Sequence, residues 1–145
     1  MSNIKFFSRN DDKYNYFEIV KAVRSEVFIN EQGADAGKEF DSYDDTAEFA
    51  LLFDNEKAVG TARIAETDQG FKIGRIAILK DYRGKGYGAL IVNAVTEKAR
   101  DKGARKVYVD AQLYAVKFYE KLGFRIIGDE IIDRGLRHIP MLKEV

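Results

Sequence analysis

The chain of 145 residues contains no cysteine, one proline and one histidine. Without cysteine there is no disulfide, no thiolate zinc site and no cysteine nucleophile. A lone histidine, His138, cannot build a multi-histidine metal centre, so no metal is expected. Charge of either sign is not in excess. Lysine and arginine number 24, and so do aspartate and glutamate. A dedicated nucleic-acid binder usually carries a basic surplus, so no nucleic-acid partner is expected. No apolar run approaches the ~20 residues of a membrane span. The segment MSNIKFFSRNDDK also lacks the apolar core of a signal peptide. The expectation is a cytoplasmic protein with no membrane partner. The only proline is Pro140, and no Ser/Gly-rich linker interrupts the chain, so residues 1–145 are expected to form a single domain. A hydrophobic fraction of 46% is enough for a sizeable core at this length.

The patterning alternates between hairpins and helices. Ile4 to Phe7 reads as a first strand, and Asp11 and Asp12 offer helix N-caps. Phe17, Val20, Val23 and Val27 then recur at three-to-four spacing, which predicts a helix ending near Glu31. FALLFD and AVGTARIA flank Asn55-Glu56-Lys57, a hairpin signal, and TDQG turns the chain into the strand from Phe71 to Leu79. Tyr87 to Lys102 carries a stripe of Leu90, Ile91, Ala94, Val95 and Ala99, with Gly103 at the C-cap. RKVYVDA is an alternating strand, and YAVKFYEKLGF a short helix closed by Gly123. RIIGDEII and HIPMLKE read as two closing strands joined at Asp133-Arg134-Gly135. This order implies a mixed sheet with helices on its faces.

Residues 30–48 hold seven carboxylates and one cation, Lys38, in an expected loop with at most short helical turns. Two readings stand side by side. The loop is a solvated surface, or it is a negative wall that attracts a cationic substrate.

The densest signal is KDYRGKGYGAL, with glycines at 84, 86 and 88 and cations at Arg83 and Lys85. Each glycine costs extra chain entropy on ordering. A tight turn alone needs only one. A dinucleotide-binding turn fits the letters GKGYGA, but KDYR separates the glycines from their strand and successive βαβ units are missing. No Gly-Lys-Ser/Thr follows, which excludes a Walker loop. A third reading is a pyrophosphate cradle. Unpaired amides at a helix N-terminus, with no side chains in the way, accept phosphate oxygens.

RIAILKDYRGKGYGALIVNAV resembles the acetyl-CoA signature of the GNAT superfamily of N-acetyltransferases, R/Q-x-x-G-x-G/A after an apolar strand, matched at Arg83, Gly86 and Gly88. AVKFYEKLGF resembles that superfamily's second motif, one strand further on. Arg24, Val27, Phe28, Glu31 and Gln32, with Gly135, His138 and Met141, are similar to one bacterial branch. The resemblance implies an α/β (mixed α+β) GNAT-like acyl-CoA N-acyltransferase fold, its central, mostly antiparallel sheet flanked by helices. It implies acetyl transfer from acetyl-CoA, without a metal, to a primary amine of a small molecule or peptide, by a monomer or homodimer. A non-catalytic CoA-binding or interaction module with this fold is the alternative.

By the same resemblance, the backbone of Ile76, Ala77 and Ile78 pairs with the pantetheine arm. Arg83, Gly84, Lys85, Gly86, Tyr87 and Gly88 surround the diphosphate, and Gln112 and Phe118 complete the cofactor site. A rival reading makes Gln112 a helix cap. Tyr119 matches the general acid, since a phenol with a pKa near ~10 keeps its proton at neutral pH. The base is open. Phe49 stands where the branch often has a histidine, which leaves Glu48, Glu31 or ordered waters. Arg24, Phe28 and His138 are candidate substrate contacts. Arg24 and Glu31 are also candidates for a structural pair, and His138 for a hydrogen-bonded residue of the closing strand.

Overall fold

A computed structural model describes residues 1–145. Its strands are β1 (Ser2–Ser8), β2 (Glu48–Asp54), β3 (Lys57–Thr67), β4 (Gly70–Ile78), β5 (Lys106–Gln112), β6 (Arg125–Ile126), β7 (Ile131–Asp133) and β8 (Leu136–Glu144). The helices are α1 (Tyr16–Arg24), α2 (Ala36–Glu39), α3 (Tyr87–Asp101) and α4 (Val116–Lys121). The sheet runs β1-β2-β3-β4-β5-β8-β6, with β7 also on β8. Every pairing is antiparallel except β4 with β5. No helix is long and apolar enough to cross a membrane.

The period of two along β2 explains how both faces are covered. Ala50 and Leu52 face the large core under α3, while Phe49 and Leu51 join Phe7, Phe17 and Val20 under α1. Each such aliphatic or aromatic side chain contributes about 1.5–3 kcal/mol on full burial. Phe49 is fully buried and stacks on Phe7 with ring centroids 5.3 Å apart.

Most expected elements stand where the patterning put them, and the departures have physical causes. Asp12 accepts from the amides of Tyr16 and Phe17 at 2.6 and 2.9 Å, so it satisfies the start of α1 from four residues upstream. Asp11 makes no such cap. The helix does not stay regular to Glu31. It widens into π-type turns over Ser25–Glu31, which lets both Val27 and Phe28 reach the core. On α3 the buried stripe is Ile91, Val92, Val95, Thr96 and Ala99, and Leu90 is exposed. RIIGDEII is two strands rather than one. A Cβ on Gly128 would lie 2.9 Å from the Pro140 ring, so the chain passes β8 there on backbone alone. The last turn places Arg134 and Gly135 at φ 54° and 78°, the sense a two-residue hairpin needs.

Candidate active site

The parallel pair β4–β5 lasts three residues. Phe71, Lys72 and Ile73 oppose Val107, Tyr108 and Val109, and then the strands part. Gly74–Ile78 stays with β3 and Asp110–Gln112 stays with β8. The parting begins at a β-bulge. Thr61 faces Ala77 and Arg63 faces Gly74, so Arg75 and Ile76 together oppose Ala62. Arg75 adopts φ 50°, a left-handed conformation that is uncommon for a residue with a side chain. Beyond the bulge Ile76 and Ile78 pack toward α3 and Ala77 toward Val23, Val27 and Phe28. Burial of these side chains leaves the backbone edge facing the gap.

Below β4 the chain turns through residues 80–86 into α3. Gly84 and Gly86 take φ 78° and 82°, and open space lies where a Cβ would be. None of the amides from Gly84 to Ala89 donates within the chain; the first such bond of α3 runs from Leu90 to Gly86 at 3.1 Å. These donors face the dipole-positive end of a 15-residue helix. Gly88 answers a different need, since its Cβ position is 3.4 Å from the Phe118 ring. Tyr87 is half-buried against the core at the same turn. Lys85 is exposed, its Nζ 5.2 Å from the Tyr82 ring centre.

Arg83 is not a free cation at this mouth. Its Nε donates to the Ile78 carbonyl at 2.9 Å, and its two Nη atoms grip both oxygens of Glu31, one at 2.8 Å. That hydrogen bond holds the Glu31 carboxyl below its usual value, which makes it a poor base. Glu31 therefore ties the π-type turns to the glycine loop, and the expected Arg24–Glu31 pair does not form. One residue on, Gln32 accepts from Gln112 at 2.8 Å and donates to the Tyr114 hydroxyl at 3.2 Å. Gln112 caps no helix.

Tyr119 is buried between Phe118 and Phe124, each ring edge-on to it. It borders a small cavity of about 50 Å³ at the head of the gap. Phe28, Arg75, Ile76, Gln112 and His138 line the same space. Burial raises the Tyr119 phenol above its ordinary value, so it holds its proton at neutral pH. His138 is buried on β8, with Nδ1 2.9 Å from the Leu136 carbonyl and Nε2 3.4 Å from Arg134. A carbonyl can only accept, so Nδ1 carries the proton and the lone pair is on Nε2. Burial lowers the pKa of this imidazole and keeps it neutral.

His138, Gly74, Arg75, Asp110 and Arg134 also line a second, larger cavity of about 410 Å³. Lys38, Asp41 and Tyr43 of the 30–48 segment form one side of it, and here both sequence readings of that segment need correction. Glu39 and Asp44 are buried, not solvated, and they are not a bare negative wall. Arg24 donates to Glu39 at 3.0 Å and to Asp44 at 2.7 Å. Arg63 holds Asp41 and Asp44 at 2.7 and 2.9 Å, and Arg134 holds Glu39 at 2.6 Å. Arg75 donates to the Glu39 carbonyl and to Asp41. Arg24 is thus a fully buried structural cation rather than a substrate contact.

Glu48 is the other correction. It sits on β2, two strands from the gap, bound to Lys102 at 2.8 Å and near Lys98 at 3.7 Å. Period-two alternation turns it toward the C-terminal end of α3, where the two lysines hold it. Sequence reasoning missed Arg63, Arg75, Arg134 and Asp110. Arg63 and Arg75 carried a signal: each is a cation inside an apolar strand, where charge needs a partner.

A sheet opened between two parallel strands, with unpaired amides at the base of the gap and a protonated phenol at its head, is the scaffold of an acyltransferase. The family described as acetyltransferase (GNAT) domain matches residues 11–145, and the chain belongs to that family. The uncharacterized N-acetyltransferase YjcF of Bacillus subtilis is 38% identical over 123 residues, covering 84% of this chain and 88% of the relative. The fold is shared with Escherichia coli ElaA, at TM-score 0.88 and 24% identity, over 99% of this chain and 100% of that one. It is shared too with a GNAT family acetyltransferase from Elizabethkingia anophelis with acetyl-CoA bound, at TM-score 0.71 and 20% identity, over 99% and 98% of the two chains.

Proposed function

We propose that the protein transfers an acetyl group from acetyl-CoA to the primary amine of a small molecule or peptide. The observation that carries this reading is the parted β4–β5 pair, which leads straight to unbonded amides at Gly84–Ala89. A pantetheine arm fits the gap as an extra strand against Ile76–Ile78, and its diphosphate meets the amides and Lys85. Arg83 acts through its grip on Glu31 and the Ile78 carbonyl, which fixes the loop.

In the reaction, the neutral amine attacks the thioester carbon directly. The carbonyl oxygen takes up negative charge, for which one preorganised backbone donor is worth roughly 10²-fold or more in rate. Collapse breaks the C–S bond and forms the amide. Tyr119 gives its proton to the departing thiolate, and the surplus proton of the nitrogen leaves by water, since Arg134 Nη2 already lies 3.4 Å from His138 Nε2. Neither Glu48 nor Glu31 is suited to that step, because each is bound to cations. Alignment of amine and thioester can supply an effective molarity of ~10⁵ to 10⁸ M.

Calorimetry with CoA and thiol release from acetyl-CoA over an amine panel test this reading. Binding and amine-dependent release are the expected results. CoA that fails to bind, or binds just as well after Gly86→Ala, overturns it.

A further inference from the structure

The 410 Å³ cavity is lined by five lysines and arginines and by three aspartates. The side chains of Arg63, Arg75 and Arg134 are each 8% exposed or less, and Arg24, Glu39 and Asp44 lie behind them, outside the lining. The three lining carboxylates, Asp41, Asp110 and Asp133, have side chains 34%, 23% and 42% exposed, and Asp110 pairs with Lys72. The lining therefore carries two more cations than carboxylates.

Arg75 is where this excess meets the cavity. Its Nε lies 3.1 Å from the Glu39 carboxylate and donates to the Glu39 carbonyl, and its Nη2 donates to that carbonyl and to Asp41. Its Nη1 makes no hydrogen bond and lies 3.7 Å from Asp133. The bulge holds this side chain at the place where β4 leaves β5, so the same guanidinium borders the larger cavity and the small one containing Tyr119. Burial, then the charges of Arg63 and Arg134, push the Arg75 pKa down to about 10. The Arg63 value moves up instead, because Asp41 and Asp44 outweigh the burial of that side chain. Arg75 Nη1 therefore borders both cavities with its N–H donors unused in hydrogen bonding.

We propose that the acceptor amine carries an anionic group, carboxylate or phosphate, and that Arg75 Nη1 binds it while the amine reaches toward His138. This rests on the reading of the protein as an acetyl-CoA-dependent amine acetyltransferase. A planar guanidinium with a free face suits either oxyanion. The cavity volume is that of a small-metabolite site. The cationic acceptor suggested by the acidic sequence of residues 30–48 is disfavoured, because those carboxylates are already spent on arginines.

The test uses acceptors matched in shape and differing in charge: glutamate against glutamine α-amide, and phosphoethanolamine against ethanolamine. Acetyl transfer is measured by thiol release, and acceptor binding to the CoA complex by calorimetry. The expected result is at least a tenfold preference in kcat/KM or Kd for the anionic member of one pair. The preferred pair identifies carboxylate or phosphate. Arg75→Gln should bring that ratio near one with CoA affinity unchanged, and Arg75→Lys should keep part of it. Equal or better use of the neutral members overturns the proposal, as does an equal loss for both members in Arg75→Gln. If Arg75→Gln does not fold, the wild-type ratio and the Arg75→Lys ratio decide. Absence of CoA binding sinks the acetyltransferase reading itself; CoA binding without charge preference sinks only this inference.

Discussion

Glu39 Oε1 accepts from Arg134 Nη1 at 2.6 Å, across 95 residues of chain. One carboxylate thereby ties the acidic segment to the hairpin before β8, and Arg24 joins it from α1 at 3.0 Å. The ion pairs here are long-range, and they pack on aromatic rings, Arg24 over Phe40 and Arg134 over Phe28.

Glu39→Gln should therefore destabilise the fold sharply. It leaves Arg24 and Arg134 buried with a weakened partner, and breaking such a buried pair costs about 3–5 kcal/mol. Chemical denaturation of the variant and wild type measures the difference. A loss below 1 kcal/mol would show that the arginines find other partners.

Tyr119→Phe keeps the ring packing against Phe118 and Phe124 and removes only the hydroxyl. Turnover should fall by roughly 10²-fold or more, the usual worth of a positioned acid. CoA affinity should stay unchanged by calorimetry. Full activity would remove Tyr119 from the reaction.

Gly86→Ala and Gly88→Ala should part company. At Gly86, φ 82° imposes about 1–2 kcal/mol of strain on alanine and disturbs the amides before α3. At Gly88 the new methyl lies 3.4 Å from Phe118, a contact that a small ring shift relieves. The first variant should weaken CoA binding and the second should alter it far less. Calorimetric Kd values for both compare them directly.

The pH dependence of stability should carry a histidine component. Burial keeps His138 below the usual 6.5, so on acidification the unfolded chain binds that proton first. Stability from this source is complete above about pH 6.5 and declines as pH falls toward the folded value. Glu31, Asp44 and Asp133 have lowered values, so their losses begin only near and below their ordinary values of 4.5, 3.8 and 3.8. His138→Gln should flatten the denaturation midpoint just below pH 6.5 and leave the steeper acid limb.

Glu48→Gln should leave turnover intact, because Glu48 is held by Lys102 and Lys98 away from the gap. Its partly exposed pairs are worth less than about 1 kcal/mol to stability. A large loss of turnover would return Glu48 to the list of bases.

What the sequence made legible was local. The α1 stripe, the glycine loop and the two GNAT motifs depend on neighbours a few residues apart, and each was found where expected. Phe49 was noticed only as a missing histidine, and it proved to be core. What stayed hidden depends on distant partners. The fate of Glu39 and Asp44 is decided by arginines 15 to 95 residues away. The bulge at Arg75 is a mismatch of register between two strands, and the register of β3 against β4 leaves no mark in either strand read alone.

The parting of β4 from β5 puts an edge in the middle of the sheet rather than at its border. Water gains entry to strand amides at the centre of the molecule, so hydrogen exchange should run faster at Ile76 than at neighbouring Thr61, in the opposite sense to a closed sheet. If a pantetheine arm lies along this inner edge, as proposed, saturating CoA should slow exchange at Ile76 more than at Thr61.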